Sequence, residues 1–222
     1  MYISFKPDET ESAVDKLNND LDRVSQWSDR HNLVLNPTKS KCMILGSNDV
    51  MTKIAAKTPR VSMMGNCLDY VPQARNLGLI MDGSLRFEEH VLEIMRNCFY
   101  RLKILYRFRN YVNVETRVML CESLILSKLN YADTVFGSCL LGRTRKVIQR
   151  IQNACARYCF PVPRRSHITP ILNRNNLLNM SSRYTLHFAS LLFGVIKKQE
   201  PPYLLFCFCK FFFFFLNLEC FF

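Results

Sequence analysis

Residues 33–46 read LVLNPTKSKCMILG, and this stretch decides how the first part of the chain is interpreted. An apolar run at each end flanks Asn36-Pro37. Proline fixes its own φ and pushes the preceding residue out of the helical region, so this pair favours a turn. Two apolar runs on either side of a turn predict a β-hairpin over residues 33–45, with Lys39 and Lys41 at its bend.

The segment before this stretch has the pattern of an amphipathic helix that ends near Trp27. Its apolar residues recur at spacings of three and four, which places them on one stripe: Val14, Leu17, Leu21, Val24 and Trp27. Met1–Phe5 is predicted to be a strand that ends at Lys6-Pro7. We expect the stripe to pack on a sheet made by that strand and the hairpin, with Trp27 in the core and not as a base-stacking platform.

The segment after this stretch predicts a loop, a second hairpin and a further strand. Residues 47–59 are polar and are interpreted as a loop. The second hairpin covers residues 61–71, with its turn at Gly65-Asn66, because glycine accepts a positive φ without a Cβ clash. Residues 76–82 are predicted to form a strand that contains Leu77-Gly78.

The apolar period changes to that of helices from Phe87 onward. The pattern predicts helices at 87–109, from Asn113 to 130, at 143–158, and a helical pair from His167 to Lys198. The helix over 143–158 should end before Pro161 and Pro163, since proline lacks the N–H that the helical hydrogen bonds need.

The positive charge is concentrated in one part of the chain. The 222 residues carry a formal charge of +12, and residues 86–200 hold nineteen basic and seven acidic side chains, which accounts for the whole excess. A one-sided charge of this size attracts polyanions and steers their association. The alternative is that these residues only form solvated helix faces. We favour contact with nucleic acid.

The cysteines and the C-terminal segment give weaker signals. None of the ten cysteines has zinc-finger spacing, and Cys155 and Cys159 fit a helix core as reduced thiols. No signal peptide opens the chain, so an intracellular location, cytoplasm or nucleus, is expected.

Residues 201–222 form a Phe-rich low-complexity tail. This tail is either a product of translating T-rich DNA or a membrane tail anchor. We favour the first interpretation, because Lys210, Asn217 and Glu219 interrupt the apolar run that an anchor needs.

Residues 27–46, together with Met1–Phe5, resemble the segment just after the catalytic aspartates in reverse transcriptases of non-LTR retrotransposons, especially jockey-like elements. The resemblance extends to about Leu205. It implies an α+β fold in which a small antiparallel palm remnant with one packed helix, residues 1–85, precedes an all-helical thumb-like bundle, residues 86–200. In that family a Tyr-Ala-Asp-Asp turn holds two Mg²⁺ ions that stabilise phosphoryl transfer.

The sequence here starts just after the position of that turn, so the resemblance implies a truncated RNA-directed DNA polymerase that holds no Mg²⁺ and lacks catalysis alone. Tyr131-Ala132-Asp133-Thr134 looks like the missing box, but it follows a long helical pattern instead of lying between two short strands. We therefore interpret Asp133 as a structural residue and not as a metal ligand.

The resemblance also implies roles for individual residues. Lys39 matches a lysine proposed to protonate the departing pyrophosphate, and Leu77-Gly78 lies where polymerases hold the primer end. The basic helices would contact the phosphates of RNA and DNA, in particular an RNA–DNA hybrid. The candidates for these contacts are Arg96, Arg101, Lys103, Arg107, Arg109, Arg143, Lys146 and Arg150. No small-molecule substrate is expected. The alternatives are a non-enzymatic basic RNA- or DNA-binding module and, less favoured, a tail-anchored membrane protein.

Overall fold

The computed structural model describes residues 1–55, 60–163 and 166–204. The chain divides into a first unit, Met1–His90, and a second unit, Val91–Phe222. The division falls a few residues after the domain boundary predicted at 85. Residues 205–222, most of the Phe-rich tail, lie outside the described residues.

The first unit combines two helices with very short strands. The helices are α1 (Thr10–Arg30) and α2 (Asn48–Ala55), and a third, α3 (Glu88–Arg107), begins at its end. The strands are β1 (Lys41–Cys42), β2 (Ser62–Met63), β3 (Asn66–Cys67), β4 (Asp69–Tyr70), β5 (Gln73–Asn76) and β6 (Leu79–Asp82). They form three two-stranded pairs: β2–β3 and β5–β6 are antiparallel, and β1–β4 is parallel.

The core of the first unit lies under the N-terminal half of α1. Val14 packs there with Val61, Met63 and Leu68, and partly buried apolar side chains of α1 and the chain after it surround this cluster. The Asn18 carboxamide accepts from the backbone N–H of Ser62 at 3.0 Å and so joins α1 to β2. The apolar stripe of α1 therefore packs on the β2–β3 pair, and not on the sheet predicted from Met1–Phe5 and the 33–45 hairpin.

Both of those predicted strand elements are wrong. Met1–Phe5 has no strand partner among the described residues. The 33–45 stretch turns at the expected place but does not fold back as a hairpin. The Asn36 side chain accepts from the Lys39 N–H at 3.2 Å and the Thr38 hydroxyl at 2.7 Å, which closes a 3₁₀ turn over Pro37–Lys39. The chain then leaves this turn in the direction that pairs β1 with β4 instead of with Leu33–Leu35.

The prediction that Trp27 belongs to the core is also wrong, since 54% of its surface is exposed. Helix α1 continues to Arg30, past the end of the apolar cluster, and the indole stacks on His31 with ring centroids 4.3 Å apart. The loop predicted over 47–59 is wrong in part, because residues 48–55 form α2.

The second predicted hairpin, residues 61–71, is confirmed in part as β2–β3, with Met64 and Gly65, both at positive φ, as its turn residues. Residues 69–70, predicted to continue it, pair with β1 instead. The strand predicted over 76–82 is instead a second tight hairpin. Leu77 (φ 46°) and Gly78 (φ 85°) form the turn between β5 and β6. Two consecutive residues with positive φ are typical of the turn type that matches the twist of paired strands.

The second unit is helical in its described part. After α3 come α4 (Val114–Cys121), a π-helical segment (Glu122–Leu126), α5 (Ser127–Asn130), α6 (Asp133–Phe136), α7 (Gly142–Cys159), α8 (Thr169–Arg174) and α9 (Met180–Lys198). The helices predicted over 87–109, 113–130, 143–158 and up to Lys198 are confirmed within a few residues. Asn113 caps α4 as expected, because its side chain accepts from the Thr116 N–H at 2.8 Å.

The core of the second unit is built from the inner faces of α3, the π-helical segment, α5, α6 and α7. Its fully buried side chains include Cys98, Ile125, Leu129, Phe136, Ile148, Ile151 and Tyr158. Cys155 and Cys159 are buried as predicted. A hydrogen bond with Cys121 and burial both raise the pKa of the Cys159 thiol, so this group packs as a neutral apolar side chain.

Candidate nucleic-acid interface

Helix α3 and the turn after it carry five of the predicted contact residues. Between Ile94 and Tyr111 the sequence holds five basic and no acidic side chains. The only carboxylates of α3 lie near its start, at Glu88, Glu89 and Glu93. All charged side chains in the last three turns of the helix are therefore cations.

Two of these five basic side chains, both arginines, are held by backbone carbonyls. Arg101 donates to the Leu124 carbonyl at 2.8 Å, and the Cys98 thiol approaches the Ile125 carbonyl at 3.9 Å. Both carbonyls belong to the π segment, whose wider turn alters the regular backbone pairing.

Arg109 joins the end of α3 to the end of α7. Its guanidinium donates to the carbonyls of Tyr158 at 2.9 Å and of Arg157 and Phe160 at 3.3 Å. The last carbonyls of a helix lack partners within it, so a cation that bonds them acts as a C-terminal cap. Arg101 and Arg109 therefore stabilise the fold.

The remaining three cations of α3 are exposed. Arg96, Lys103 and Arg107 form no hydrogen bond or ion pair with any described residue. They lie on one face of the helix, because their spacings of seven and four residues are close to whole turns. Phe99 and Tyr100 lie on the same face, and both rings are exposed. We call these five residues the α3 outer face: Arg96, Phe99, Tyr100, Lys103 and Arg107.

Helix α7 carries a second row of cations. Arg143, Lys146 and Arg150 are exposed and follow one another at spacings of three and four residues. Two further arginines close to this row bind carbonyls instead: Arg145 donates to Ser138, and Arg157 to Ser166.

Amide side chains accompany this row. Gln149 donates to the side chains of Gln152 and Asn153 and accepts from the Met180 N–H at the start of α9. Gln152, which is buried, donates to the Leu178 carbonyl at 2.7 Å. These bonds fix α7 against the chain that leads into α9.

The residue that resembles a catalytic aspartate is a packing residue. Asp133 is 3% exposed and its carboxylate bonds Nδ1 of His187 on α9 at 2.5 Å. It borders a cavity of about 500 Å³ whose lining includes Lys146, Tyr184 and Phe188. Tyr184 donates to the Leu129 carbonyl at 3.2 Å. Asp133 thus lies among helices, as its sequence context predicts, and it connects α6 to α9.

The candidate site residues of the first unit lie on its turns. Lys39 is exposed at the end of the Pro37–Lys39 turn. Lys41 forms an ion pair with Asp69 on the neighbouring strand, with 2.7 Å between Nζ and the carboxylate oxygen. Leu77, which is 85% exposed, and Gly78 form the tip of the β5–β6 hairpin.

The described residues do not fit a Mg²⁺ site. Nowhere in 1–55, 60–163 or 166–204 do three carboxylate, imidazole or thiol side chains come together as metal ligands. Over the same residues, the helices are too short or too polar to cross a membrane.

Sequence reasoning missed three features of this surface. It did not identify the exposed rings of α3, the capping role of Arg109 or the amide bonds of α7. The sequence did contain a pattern that could have predicted the rings, since Phe99 and Tyr100 occupy the same helical face as three of the predicted cations. The capping by Arg109 and the bonds from α7 to Leu178 and Met180 depend on backbone groups that are distant in sequence, so no local pattern indicates them.

These features belong to a chain that is similar, over part of its length, to an RNA-directed DNA polymerase. It is 27% identical over 128 residues to the RNA-directed DNA polymerase from mobile element jockey of Drosophila funebris. The aligned part covers 56% of this chain and 13% of that relative. No family model matches the chain. No solved structure matches it either.

Proposed function

We propose that this chain is part of the reverse transcriptase of a non-LTR retrotransposon and that its second unit binds template–primer nucleic acid. In this proposal residues 1–85 correspond to the part of the palm after the catalytic turn, and residues 86–200 correspond to the thumb. The similarity to the jockey polymerase supports the origin. The binding role is supported by the position of the charge excess.

The observation that carries the proposal is the set of exposed cations on α3 and α7. Five cations reach solvent without a hydrogen-bonding partner among the described residues: Arg96, Lys103, Arg107, Lys146 and Arg150. A polymerase must move along any sequence, so it needs phosphate contacts that position a duplex without reading its bases. Arginine and lysine on rigid helices provide such contacts.

Catalysis is not expected from these residues alone. The sequence contains no Tyr-Ala-Asp-Asp turn, and the described carboxylates do not form a two-metal site. Lys39 keeps its proposed role as the proton donor to pyrophosphate, and Leu77-Gly78 its proposed role at the primer end. Both would act only next to a metal centre that other residues supply.

The experiment is a salt titration of binding to an RNA–DNA hybrid of random sequence. If the five cations each neutralise one phosphate, the log of the association constant should fall against log salt with a slope of about −4.5. The matched control replaces all five cations with glutamine and should flatten this slope to near zero. Absence of binding at low salt would refute the proposal.

Two further results separate the proposal from its alternatives. Purified protein given primer, template, Mg²⁺ and nucleotides should not extend the primer, and robust extension would contradict the assignment. A sequence-specific footprint that resists salt would instead identify a non-enzymatic binding module, because base contacts depend less on counterion release than phosphate contacts do.

A further inference from the structure

The α3 outer face differs from a simple phosphate-binding surface because it exposes aromatic rings among its cations. Tyr100 is 67% exposed and Phe99 is 40% exposed. Tyr100 follows Arg96 by four residues and precedes Lys103 by three, so it lies one helical turn from a cation on each side. Such an arrangement offers a flat apolar surface and a positive charge within reach of the same nucleotide.

The length of this face suits several nucleotides. The rise of an α-helix places Arg96 and Arg107 roughly 16 Å apart along the axis. At the 3.4 Å spacing of a stacked strand, this distance corresponds to about five nucleotides. The face can therefore contact several consecutive nucleotides of one strand.

We infer that the α3 outer face binds an unpaired stretch of RNA or DNA, with bases against Phe99 and Tyr100 and phosphates on Arg96, Lys103 and Arg107. This inference rests on the proposed function and deepens it. Proteins that bind single strands combine a positive track with rings on which bases stack, whatever the sequence. A duplex keeps the faces of its bases inside the helix and offers mainly phosphates and sugars to side chains, so these rings would find no partner there.

The charge of the α3 outer face favours nucleic acid over a protein as its ligand. No acidic side chain occurs from Ile94 to Tyr111, and the three exposed cations of the face have no described counter-ion. A protein surface that covered this face would have to supply several carboxylates opposite these cations, whereas a strand of nucleic acid supplies one negative charge for each nucleotide.

The test compares three probes by fluorescence anisotropy at a fixed low salt concentration. The probes are a 12-nucleotide oligo-uridine, an abasic strand with the same number of phosphates, and a blunt RNA–DNA hybrid of 12 base pairs. The variant is Tyr100→Leu, which keeps an apolar side chain and removes the ring. The matched control is Tyr203→Leu in the full chain, because Tyr203 is 68% exposed and lies outside the α3 outer face.

We expect Tyr100→Leu to weaken binding of oligo-uridine about fivefold or more, since base–aromatic stacking contributes roughly 1–3 kcal/mol per base. Its affinity for the abasic strand and the hybrid should change less than twofold, and Tyr203→Leu should bind all three probes like the unchanged chain. Equal urea midpoints of the variants would confirm that folding is unaffected.

The outcomes that overturn the inference differ from those that overturn the proposed function. If the hybrid binds normally but Tyr100→Leu leaves the affinity for oligo-uridine unchanged, the rings do not contact bases and another surface covers them. An equal loss for the abasic strand would show that the ring acts without stacking on bases. If none of the three probes binds the unchanged chain, the proposed function fails, and this inference fails with it.

Discussion

Helices α3 and α7 are of similar length and both expose a row of cations, but they place different chemistry between those cations. On α3 the neighbours are rings, and Tyr100 is largely exposed. On α7 the neighbours are amides, and Gln149 and Gln152 are bound to each other and to the chain before α9. The contrast predicts that the ligand of a basic helix depends on the side chains between its charges. In the proposed function the α7 row would contact phosphates, whereas the α3 outer face would also contact bases.

The ends of the two helices differ as well. A network around Asp82 precedes α3, in which the carboxylate accepts from the N–H groups of Ser84, Arg86 and Phe87. The N-cap residue of α7 is Leu141, whose side chain cannot cap the helix. The last carbonyls of α7 are bound by Arg109. One helix is thus fixed by an anion near its beginning and the other by a cation at its end, as the helix dipole favours.

The largest effect is expected from Arg109→Ala, which breaks the connection between the two helices. Its loss leaves the carbonyls of Arg157, Tyr158 and Phe160 without their charged donor, and hydrogen bonds to charged groups contribute about 1.5–3 kcal/mol. We expect the free energy of unfolding of the second unit to fall by about 3 kcal/mol in urea titrations. The control Arg107→Ala, at an exposed cation nearby, should stay within about 0.5 kcal/mol.

The second prediction compares the two rows directly. Replacing Arg96, Lys103 and Arg107 with glutamine should reduce the magnitude of the salt slope for hybrid binding by about 2.7, and replacing Lys146 and Arg150 by about 1.8. Each row is then the control for the other, and both variants should keep the urea midpoint of the unchanged chain. A slope that only one of the two variants alters would confine the interface to that helix.

A smaller effect is expected from Gln152→Met, which tests whether the amides of α7 are structural. The change leaves the Leu178 carbonyl and one Gln149 N–H without their partners, and an unsatisfied buried group costs about 1–3 kcal/mol. We expect the free energy of unfolding to fall by about 1.5 kcal/mol, again from urea titrations. Arg150→Met on the exposed side of the same helix should be neutral within about 0.5 kcal/mol.

The smallest effect concerns the network that precedes α3. Burial acts to raise the pKa of Asp82, but hydrogen bonds from Ser84, Phe87 and Arg86 outweigh it and hold that pKa below its usual value. The folded state therefore binds the proton less tightly than the unfolded state does. The resulting stabilisation is present above about pH 4, the pKa of an unperturbed aspartate, and is lost as the pH falls through the lower pKa of the folded state.

Asp82→Asn should thus lower the free energy of unfolding at pH 7 by less than about 1 kcal/mol, because asparagine keeps one acceptor oxygen. The difference between variant and unchanged chain should shrink as the pH falls below about 4, as urea titrations at a series of pH values would show. A difference that stays constant over that range would mean that the effect comes from packing and not from the charge.

The helices could be predicted from the sequence because their signals are long and local. The stripes of α1, α3 and α7 repeat over several turns, and Asn113 caps α4 through a residue only three positions away. The strands are two to four residues long, which is too short for a period of two to be distinguished from chance. The β1–β4 pair joins Lys41 to Asp69, far along the chain, so no local pattern indicates it.

The candidate site was predictable to a similar degree. Charge and helical spacing placed Arg96, Lys103, Arg107, Lys146 and Arg150 on exposed faces, because these properties are local. The same reasoning could not separate them from Arg101 and Arg109. Those two are arginines like Arg96 and Arg107 and lie on the same stretch of chain as them. Only the tertiary fold brings carbonyls of Leu124 and Tyr158 within their reach.

The π segment over Glu122–Leu126 makes this part of the molecule sensitive to chain length. A π turn holds about one residue more than an α turn, so Ile125, Leu126 and Leu129 reach the interior with an angular offset that a regular helix would not give. A one-codon deletion within 122–126 would restore regular winding and leave the side chains up to Asn130 facing nearly the same way, because five α steps of about 100° give roughly the rotation of six π steps. A one-codon insertion has no such wide turn to remove and would rotate those side chains by about 100° relative to α4.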